Sequence, residues 1–219
     1  MTGRPDSAPD PWALREHVEG YLTEDDVLSA TRASAALRGS APVGPGVGAG
    51  LRFLAASTAA RAVVEIGTGV GVSGLWLLRG MASDGVLTSI DIDPESQRAA
   101  RQAFTAAGYG PSRLRLINGL GLEVLPRLTD GGYDLVFVDA GTADQPRYLD
   151  EAVRLLRGGG IVALHGVLTA GVLDPDATDA ATVALREVAR QVRDDDRLVP
   201  VLLPLGAGLL AAVKATPHA

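Results

Sequence analysis

A glycine-rich stretch with one acid, VVEIGTGVGVSG at residues 63–74, is the first candidate binding site in the chain. The apolar residues around Glu65 predict a strand, and the glycines that follow predict a tight turn into a helix. In a doubly wound α/β sheet, ligands lie beyond the carboxyl ends of the strands, which is where this turn would lie. Residues 69–74 also fit the GxGxxG pattern of dinucleotide-binding proteins, a short pattern that arises by chance in glycine-rich chains.

Glu65 favours a different ligand. The pyrophosphate of a dinucleotide is anionic and binds at a helix N-terminus, so a carboxylate just before the first glycine would repel it. S-adenosylmethionine carries an ammonium group that Glu65 could bind and a carboxylate that suits the helix amides and Ser73. Asp91 ends the next predicted strand. Its separation along the chain from the glycine turn is the one at which an acid binds ribose hydroxyls, and this holds for either kind of ligand. A structural turn capped by Ser73 is the remaining alternative.

The composition limits the classes of protein to consider. The chain has 219 residues, a net charge of −6 and no cysteine, which removes thiolate chemistry. Acidic and basic residues are interspersed, so a nucleic-acid backbone binder is not expected. The longest uncharged stretch, LVPVLLPLGAGLLAAV, is broken by proline and glycine and is shorter than the ~20 residues of a spanning helix. No secretory signal is visible. We therefore expect a cytoplasmic protein that does not bind membranes.

The pattern along the chain predicts the sheet that would position these residues. From residue 51 onward, short apolar strands alternate with amphipathic helices, which is typical of a parallel sheet covered on both faces. The final segment, RLVPVLLPLGAGLLAAVKA, reads as two strands joined by a short connection, and therefore as an antiparallel hairpin. The predicted fold is α/β and Rossmann-like: a doubly wound, mostly parallel seven-stranded sheet that ends in an antiparallel hairpin, with helices on both faces.

Five stretches carry a resemblance to a known family: VVEIGTGVGVSGLWL, LTSIDIDPE, YDLVFVDA, YLDEAVRLLRGGGIV and LLPLGAGLLAAVK. They resemble the class I methyltransferases that use S-adenosylmethionine, in particular the catechol and caffeoyl-CoA O-methyltransferases. The resemblance runs from about Val43 onward. It implies S-adenosylmethionine as the cofactor, a small-molecule methyl acceptor and a homodimer.

The resemblance also divides the chain. Residues 43–219 would form the methyltransferase domain, and residues 1–42 an N-terminal region of tail, helix and Gly/Pro connector. Residues 11–37 have a helical pattern with a capping box formed by Thr23 and Asp26, and the connector reads GSAPVGPGVGAG at residues 39–50. A later helix, QPRYLDEAVRLLRGGG, is predicted to end in glycines.

Carried over residue by residue, the resemblance assigns the methionine end of the cofactor first. Val43 would close over it, Glu65 would bind the ammonium group and Ser73 would bind the carboxylate. Gly67 and Thr68 would approach the cofactor with their backbone atoms.

The rest of the cofactor and the acceptor are assigned in the same way. Asp91 would bind the ribose hydroxyls, and Ile92 would lie beside the adenine. Gly119 and Leu120 would lie at the adenine edge, where many relatives have an acid in place of Leu120. Asp139 would face the reacting methyl group and the acceptor.

Two further departures from the family bear on catalysis. The metal-binding Asp-Asn pair is replaced by His165 and Gly166, and the family's lysine base by Thr142. Because Mg²⁺ prefers oxygen ligands, we expect no Mg²⁺-type site. The hypothesis is that His165 acts as the general base while Asp139 holds its tautomer. A strand-end histidine with only structural hydrogen bonds is the alternative.

The sequence therefore predicts an S-adenosylmethionine-dependent O-methyltransferase that acts on a small hydroxylated metabolite, for example a phenol. A catechol is disfavoured, because chelation by a metal is what selects neighbouring oxygens. Two alternatives remain open at this point. One is a non-catalytic relative that binds the cofactor, and the other is an NAD(P)-dependent oxidoreductase.

Overall fold

The computed structural model describes residues 10–216, apart from the side chain of residue 170. Residues 1–9 of the predicted tail lie outside the described residues. The core of the fold is a sheet of seven strands: β1 (Ala62–Ile66), β2 (Val86–Asp91), β3 (Leu114–Asn118), β4 (Tyr133–Val138), β5 (Leu156–His165), β6 (Leu198–Leu203) and β7 (Leu209–Lys214).

The strand order is β3-β2-β1-β4-β5-β7-β6. Neighbouring strands from β3 to β5 are parallel, whereas β7 runs antiparallel to both β5 and β6. This arrangement confirms the predicted fold, including the closing hairpin. It brings the carboxyl ends of β1 to β5 to one edge of the sheet, which is where doubly wound proteins bind their ligands.

Helices cover both faces of the sheet: α1 (Pro11–Glu19), α2 (Asp26–Leu37), α3 (Pro45–Ser57), α4 (Val72–Gly80), α5 (Pro94–Ala106), α6 (Gly121–Val124), α7 (Gln145–Leu155), α8 (Ala170–Leu173) and α9 (Ala180–Asp194). Side chains alternate along each strand, so Val63 and Val64 enter opposite cores. The core on the first face holds Trp76 and Phe104, and the other core holds Leu185. Within the described residues, every helix is too short or too polar to span a membrane.

The N-terminal elements differ from the prediction. The pattern over residues 11–37 forms two helices, α1 and α2, rather than one. The N-cap of α2 is Asp25, whose carboxylate accepts a hydrogen bond from the Leu28 amide at 2.9 Å, so the capping box at Thr23 is wrong. A short acid at the cap position satisfies the free amides of the first turn directly.

The predicted connector over residues 39–50 is also wrong in its second half. The chain is helical from Pro45, because proline is favoured in the first turn of a helix. One face of α3 is then buried through Val47 and Leu51. Burial of that face outweighs the low helix propensity of the glycines.

The predicted glycine end of α7 belongs instead to β5. The helix ends at Leu155, and Leu156 already pairs with Tyr133 of β4. The Lys214 ammonium group donates to the carbonyls of Val153 and Leu156 at 2.8 and 2.7 Å. These bonds satisfy carbonyls at the helix end, a role that a terminal glycine turn would otherwise have.

Candidate cofactor and acceptor site

A cavity of about 410 Å³ opens at the carboxyl ends of the parallel strands. Its walls include nearly all the residues that the sequence assigned to the cofactor: Val43, Gly67, Thr68, Ser73, Asp91, Ile92, Gly119 and Leu120. Asp139 lies on the same wall, as predicted for the acceptor end. Glu65 and His165 do not line the cavity, and both lie directly behind residues that do.

The glycine turn after β1 is shaped by its contact with β4. Gly67 has φ +98°, and a Cβ atom at this position would lie 2.3 Å from the carbonyl oxygen of Asp139. Gly71, at the N-cap of α4, has the same left-handed φ. The turn therefore needs glycine for close approach of two backbones at Gly67, and it brings the amino end of α4 to the cavity.

Glu65 is fully buried beneath this turn, within a chain of hydroxyl groups. Ser73 Oγ donates to Glu65 Oε1 at 2.6 Å, and Ser89 Oγ donates to Glu65 Oε2 at 2.5 Å. Because the Ser89 proton is used in this way, Thr68 donates to Ser89 Oγ across 2.6 Å. Burial raises the pKa of Glu65 to about 7, and the two serine hydroxyls oppose that rise.

These bonds bear on two predicted roles. The Ser73 hydroxyl is already bonded to Glu65, and Glu65 reaches the cavity only past Ser73 and the glycine turn. The binding of an ammonium group by Glu65 and of a carboxylate by Ser73 therefore stay predictions. A ligand at this end would first meet backbone amides of the turn.

Asp91 is held in place at the end of β2. Its Oδ2 accepts from the Gly69 amide at 2.7 Å, and its Oδ1 accepts from the Asp93 amide at 2.9 Å. The neighbouring Ile92 and Leu120 side chains are 64% and 50% exposed. The arrangement gives a fixed carboxylate flanked by two apolar walls, which suits a ribose followed by a flat base.

Asp139 and His165 meet at the carboxyl ends of β4 and β5. Asp139 Oδ1 lies 2.9 Å from His165 Nδ1. The Gln145 side-chain amide donates to the His165 carbonyl at 3.0 Å, which fixes the backbone of the histidine. A Cβ atom at Gly206 would lie 3.4 Å from His165 Nε2, so this nitrogen faces the turn between β6 and β7. The ring thus links the cofactor cavity to that turn.

The donor set at this position is poor for Mg²⁺. Asp139 is bonded to the imidazole, and Gly166 has no side chain in the place of an amide ligand. Among residues 10–216, no three His, Asp or Glu side chains converge in the manner of a metal site. Mg²⁺ needs several oxygen ligands in an octahedron, which these residues do not provide.

Several functional candidates were missed by the sequence reasoning. Asp144 and Tyr148 line the cavity beside Leu120. A second, largely apolar cavity of about 530 Å³ lies between α1 and the β6–β7 turn, and its walls include Trp12, Leu168 and Gly206. Tyr148 follows the helical pattern of α7 like any core residue, so no sequence signal separates it from its neighbours.

Comparisons with known proteins identify the family of the chain. A family model described as O-methyltransferase matches residues 25–215. A Mycolicibacterium vanbaalenii protein named as an O-methyltransferase is 55% identical over 203 residues, covering 92% of this chain and 90% of its own. A Corynebacterium glutamicum crystal structure has a TM-score of 0.88 at 34% identity and covers 94% of this chain and 98% of its own. The Streptomyces achromogenes O-methyltransferase TomG, involved in tomaymycin synthesis and crystallised with S-adenosylmethionine, has a TM-score of 0.83 at 28% identity, covering 93% and 96%.

Proposed function

The chain belongs to the O-methyltransferase family, and we propose that it transfers the methyl group of S-adenosylmethionine to a hydroxyl group of a small molecule, with His165 as the general base. The matching family model and the similar proteins confirm the predicted resemblance, enzyme class and cofactor. The two alternatives, a non-catalytic relative and an NAD(P)-dependent oxidoreductase, have no support among these relatives. The acceptor, the base and the metal requirement are our proposals.

The proposed reaction is an in-line displacement. The acceptor oxygen forms a bond to the methyl carbon, the bond from that carbon to the sulfonium breaks, and S-adenosylhomocysteine leaves with the electron pair. The sulfonium is already an activated leaving group, so the protein mainly aligns the reactants, an effect worth roughly 7–11 kcal/mol in favourable cases. The protein must in addition provide a base that accepts the proton of the acceptor hydroxyl.

The observation that carries the proposal is the hydrogen bond between His165 and Asp139. In the neutral imidazole with Nδ1 protonated, Nδ1 donates to Asp139 Oδ1 at 2.9 Å and Nε2 keeps a free lone pair. Asp139 would then fix the tautomer and stabilise the imidazolium once Nε2 has taken the acceptor proton. General-base assistance of this kind typically contributes 10²–10⁴-fold in rate, and here it would replace the missing lysine.

The apolar cavity beside the β6–β7 turn supports a phenolic acceptor. Gly206 borders both the Nε2 side of His165 and this cavity. The cavity walls hold Trp12, Leu14 and Leu205, which suit an aromatic ring. An acceptor that lies against these side chains would present its hydroxyl group toward His165.

We also propose that the reaction does not depend on a Mg²⁺-type site. The proposal rests on the chemistry of the donor set, one carboxylate already bonded to an imidazole beside a glycine. It also explains why a catechol is a poor candidate, since nothing here would chelate two neighbouring oxygens.

A methyl-transfer assay tests these proposals together. Methyl-labelled S-adenosylmethionine is offered with a panel of phenols and aliphatic alcohols, first in EDTA and then with Mg²⁺ or Mn²⁺. We expect transfer to phenols in EDTA, unchanged by either ion. Transfer that appears only with a divalent ion would contradict the metal-independent mechanism, and transfer to aliphatic alcohols alone would contradict a phenolic acceptor.

Two wider predictions belong to the same proposal. We propose a homodimer, because β6 at the sheet edge exposes Val199, Val201 and Leu202. Sedimentation of the wild-type protein and of Val199→Asp tests this, and a wild-type monomer at micromolar concentration would contradict it. We also propose that the enzyme works in the cytoplasm, where its methyl donor is made, and cell fractionation tests that location.

A further inference from the structure

The adenine end of the cofactor cavity lacks an obvious polar side chain where the family resemblance expects one. Leu120 has no atom that can accept a hydrogen bond from the adenine amino group. Ile92 on the opposite wall is equally apolar. Adenine has an amino donor and several ring acceptors, and leaving them unpaired in a partly buried site costs free energy.

Two polar side chains from the start of α7 and the turn before it reach this end of the cavity. Tyr148 is only 6% exposed as a residue, and within residues 10–216 its hydroxyl has no hydrogen-bond partner in the protein and stays open to the cavity. A buried phenol usually has a partner for its hydroxyl. Burial also raises the pKa of Tyr148, so the hydroxyl keeps its proton at neutral pH and can donate it.

Asp144 lies beside Tyr148 on the same wall. One carboxylate oxygen, Oδ1, is 3.2 Å from the guanidinium of Arg147 in an exposed pair. The other, Oδ2, lies 3.6 Å from the position that a Cβ atom would take at Gly141. Asp144 therefore keeps an acceptor on the cavity side, and an exposed ion pair of this kind holds it only weakly.

Two glycines open the space in front of these groups. A Cβ atom at Gly121 would lie 3.1 Å from the Tyr148 hydroxyl oxygen, and one at Gly141 would lie 3.7 Å from it. A side chain at Gly121 would therefore crowd the hydroxyl, whereas one at Gly141 would only contact it. Leu120, Asp144 and Tyr148 also line the adjoining hollow beside the cavity, so this wall is reached from both sides.

We propose that Asp144 and Tyr148 recognise the adenine ring in place of the family's acid at position 120. The Asp144 carboxylate accepts from the 6-amino group, and the Tyr148 hydroxyl donates to a ring nitrogen. The inference rests on the proposed cofactor site. It assigns adenine selectivity to the region around the start of α7 rather than to the residues after β3.

Calorimetric binding of two matched ligands tests the inference without turnover. S-adenosylhomocysteine carries a 6-amino group, and S-inosylhomocysteine carries a 6-oxo group that a carboxylate repels. We expect the wild type to prefer the adenine ligand by about 10- to 100-fold, because a site that binds an N–H group rejects an analogue without it. Asp144→Asn should reduce this preference to about 3-fold or less, since an amide can both accept and donate.

Two further variants complete the test. Asp150→Asn makes the same charge change at an exposed position of α7 and should keep the wild-type preference. Tyr148→Phe should weaken adenine-ligand binding by about 3- to 10-fold at an unchanged melting temperature. An unchanged preference in Asp144→Asn, or wild-type binding by Tyr148→Phe, would overturn the inference and leave the cofactor assignment intact. Failure of the wild type to bind S-adenosylhomocysteine would instead overturn the proposed function and this inference with it.

Discussion

The two ends of the cofactor cavity are built differently. Beneath the glycine turn, Glu65 is fully buried and both of its oxygens accept from serine hydroxyls. At the proposed acceptor end, Asp139 and His165 share one hydrogen bond, and their side chains are 30% and 15% exposed. The first region is a closed network in the core, and the second is a single contact at the edge of solvent.

This difference predicts which of the two regions tolerates substitution. In a closed network, the loss of one partner leaves a buried polar group unpaired, which costs free energy whatever the substrate. At the acceptor end, a substitution changes one contact and the shape of the pocket. Of the departures from the family that the sequence indicates, His165 lies in the second region, Thr142 follows Asp139 by three residues, and Leu120 lies on the cavity wall outside the closed network.

The largest effect is expected from a methyl group at Gly67. In Gly67→Ala, the new Cβ would lie 2.3 Å from the Asp139 carbonyl oxygen at φ +98°. We expect the free energy of unfolding to fall by at least about 3 kcal/mol, with loss of S-adenosylhomocysteine binding. The matched control is Gly69→Ala, where φ is +49° and nothing lies within 4 Å of the new atom. Its cost should be about 1 kcal/mol, measured by urea unfolding, and equal costs would contradict the close-approach argument.

Asp139→Asn should impair catalysis at the proposed acceptor end and leave cofactor binding nearly unchanged. Asparagine can present its amide to His165 Nδ1 and so favour the wrong tautomer. We expect kcat to fall by about 100-fold while the Kd for S-adenosylhomocysteine changes less than about 3-fold. Steady-state kinetics and calorimetry on the same preparation check the two values. A large loss of cofactor affinity with normal kcat would show that Asp139 serves the cofactor instead.

Glu65→Gln should change how stability depends on pH. The folded pKa of about 7 lies above the ordinary value of 4.5, so the folded state holds the proton more tightly. The resulting stability is fully present below about pH 4.5 and is lost as pH rises to about 7. We expect the wild type to lose on the order of 2 kcal/mol more than Glu65→Gln between pH 5 and pH 8. Urea unfolding at both values tests this, with exposed Glu16→Gln as the control. Parallel curves would show that Glu65 is ionised in the fold throughout.

A smaller effect distinguishes a purely structural role of Glu65 from an interaction with the ammonium group of the cofactor. An ammonium group brought near Glu65 would favour its ionised form, so binding of S-adenosylhomocysteine near pH 6.5 should release part of a proton. We expect release to vanish at pH 8.5 and in Glu65→Gln. Calorimetry in buffers of different ionisation enthalpy measures it. No release at pH 6.5 in the wild type would mean that Glu65 only supports the glycine turn.

The sheet could be predicted because its strands are continuous apolar runs with turns at both ends. The N-terminal region could not, since helix boundaries there depend on tertiary contacts. The helix that begins at Pro45 is stabilised by the burial of Val47 and Leu51 in the core. The glycines after Leu156 resemble a helix end in sequence, yet they lie within β5, as an irregular stretch between the pairing of Leu156 and that of Ile161 with β4.

The residues of the candidate site also include some that could be predicted from the sequence and some that could not. Gly67 and Asp91 belong to a contiguous motif and lie on the cavity as predicted. Tyr148 is separated from that motif along the chain, and only the packing of α7 against Gly121 brings its hydroxyl to the cavity. The pairing of His165 with Asp139 could be predicted from the sequence, because the two residues lie at the ends of neighbouring parallel strands. The direction of Nε2 required the turn at Gly206.

The role of His165 as general base is tested by comparing wild type and His165→Ala on two phenols of similar shape, one made more acidic by a nitro group. A base matters only when the acceptor arrives protonated, so in EDTA the variant should lose about 100-fold in kcat/KM on the ordinary phenol and little on the acidic one. Equal losses on both phenols would contradict His165 as the general base and leave it a structural residue beside Asp139.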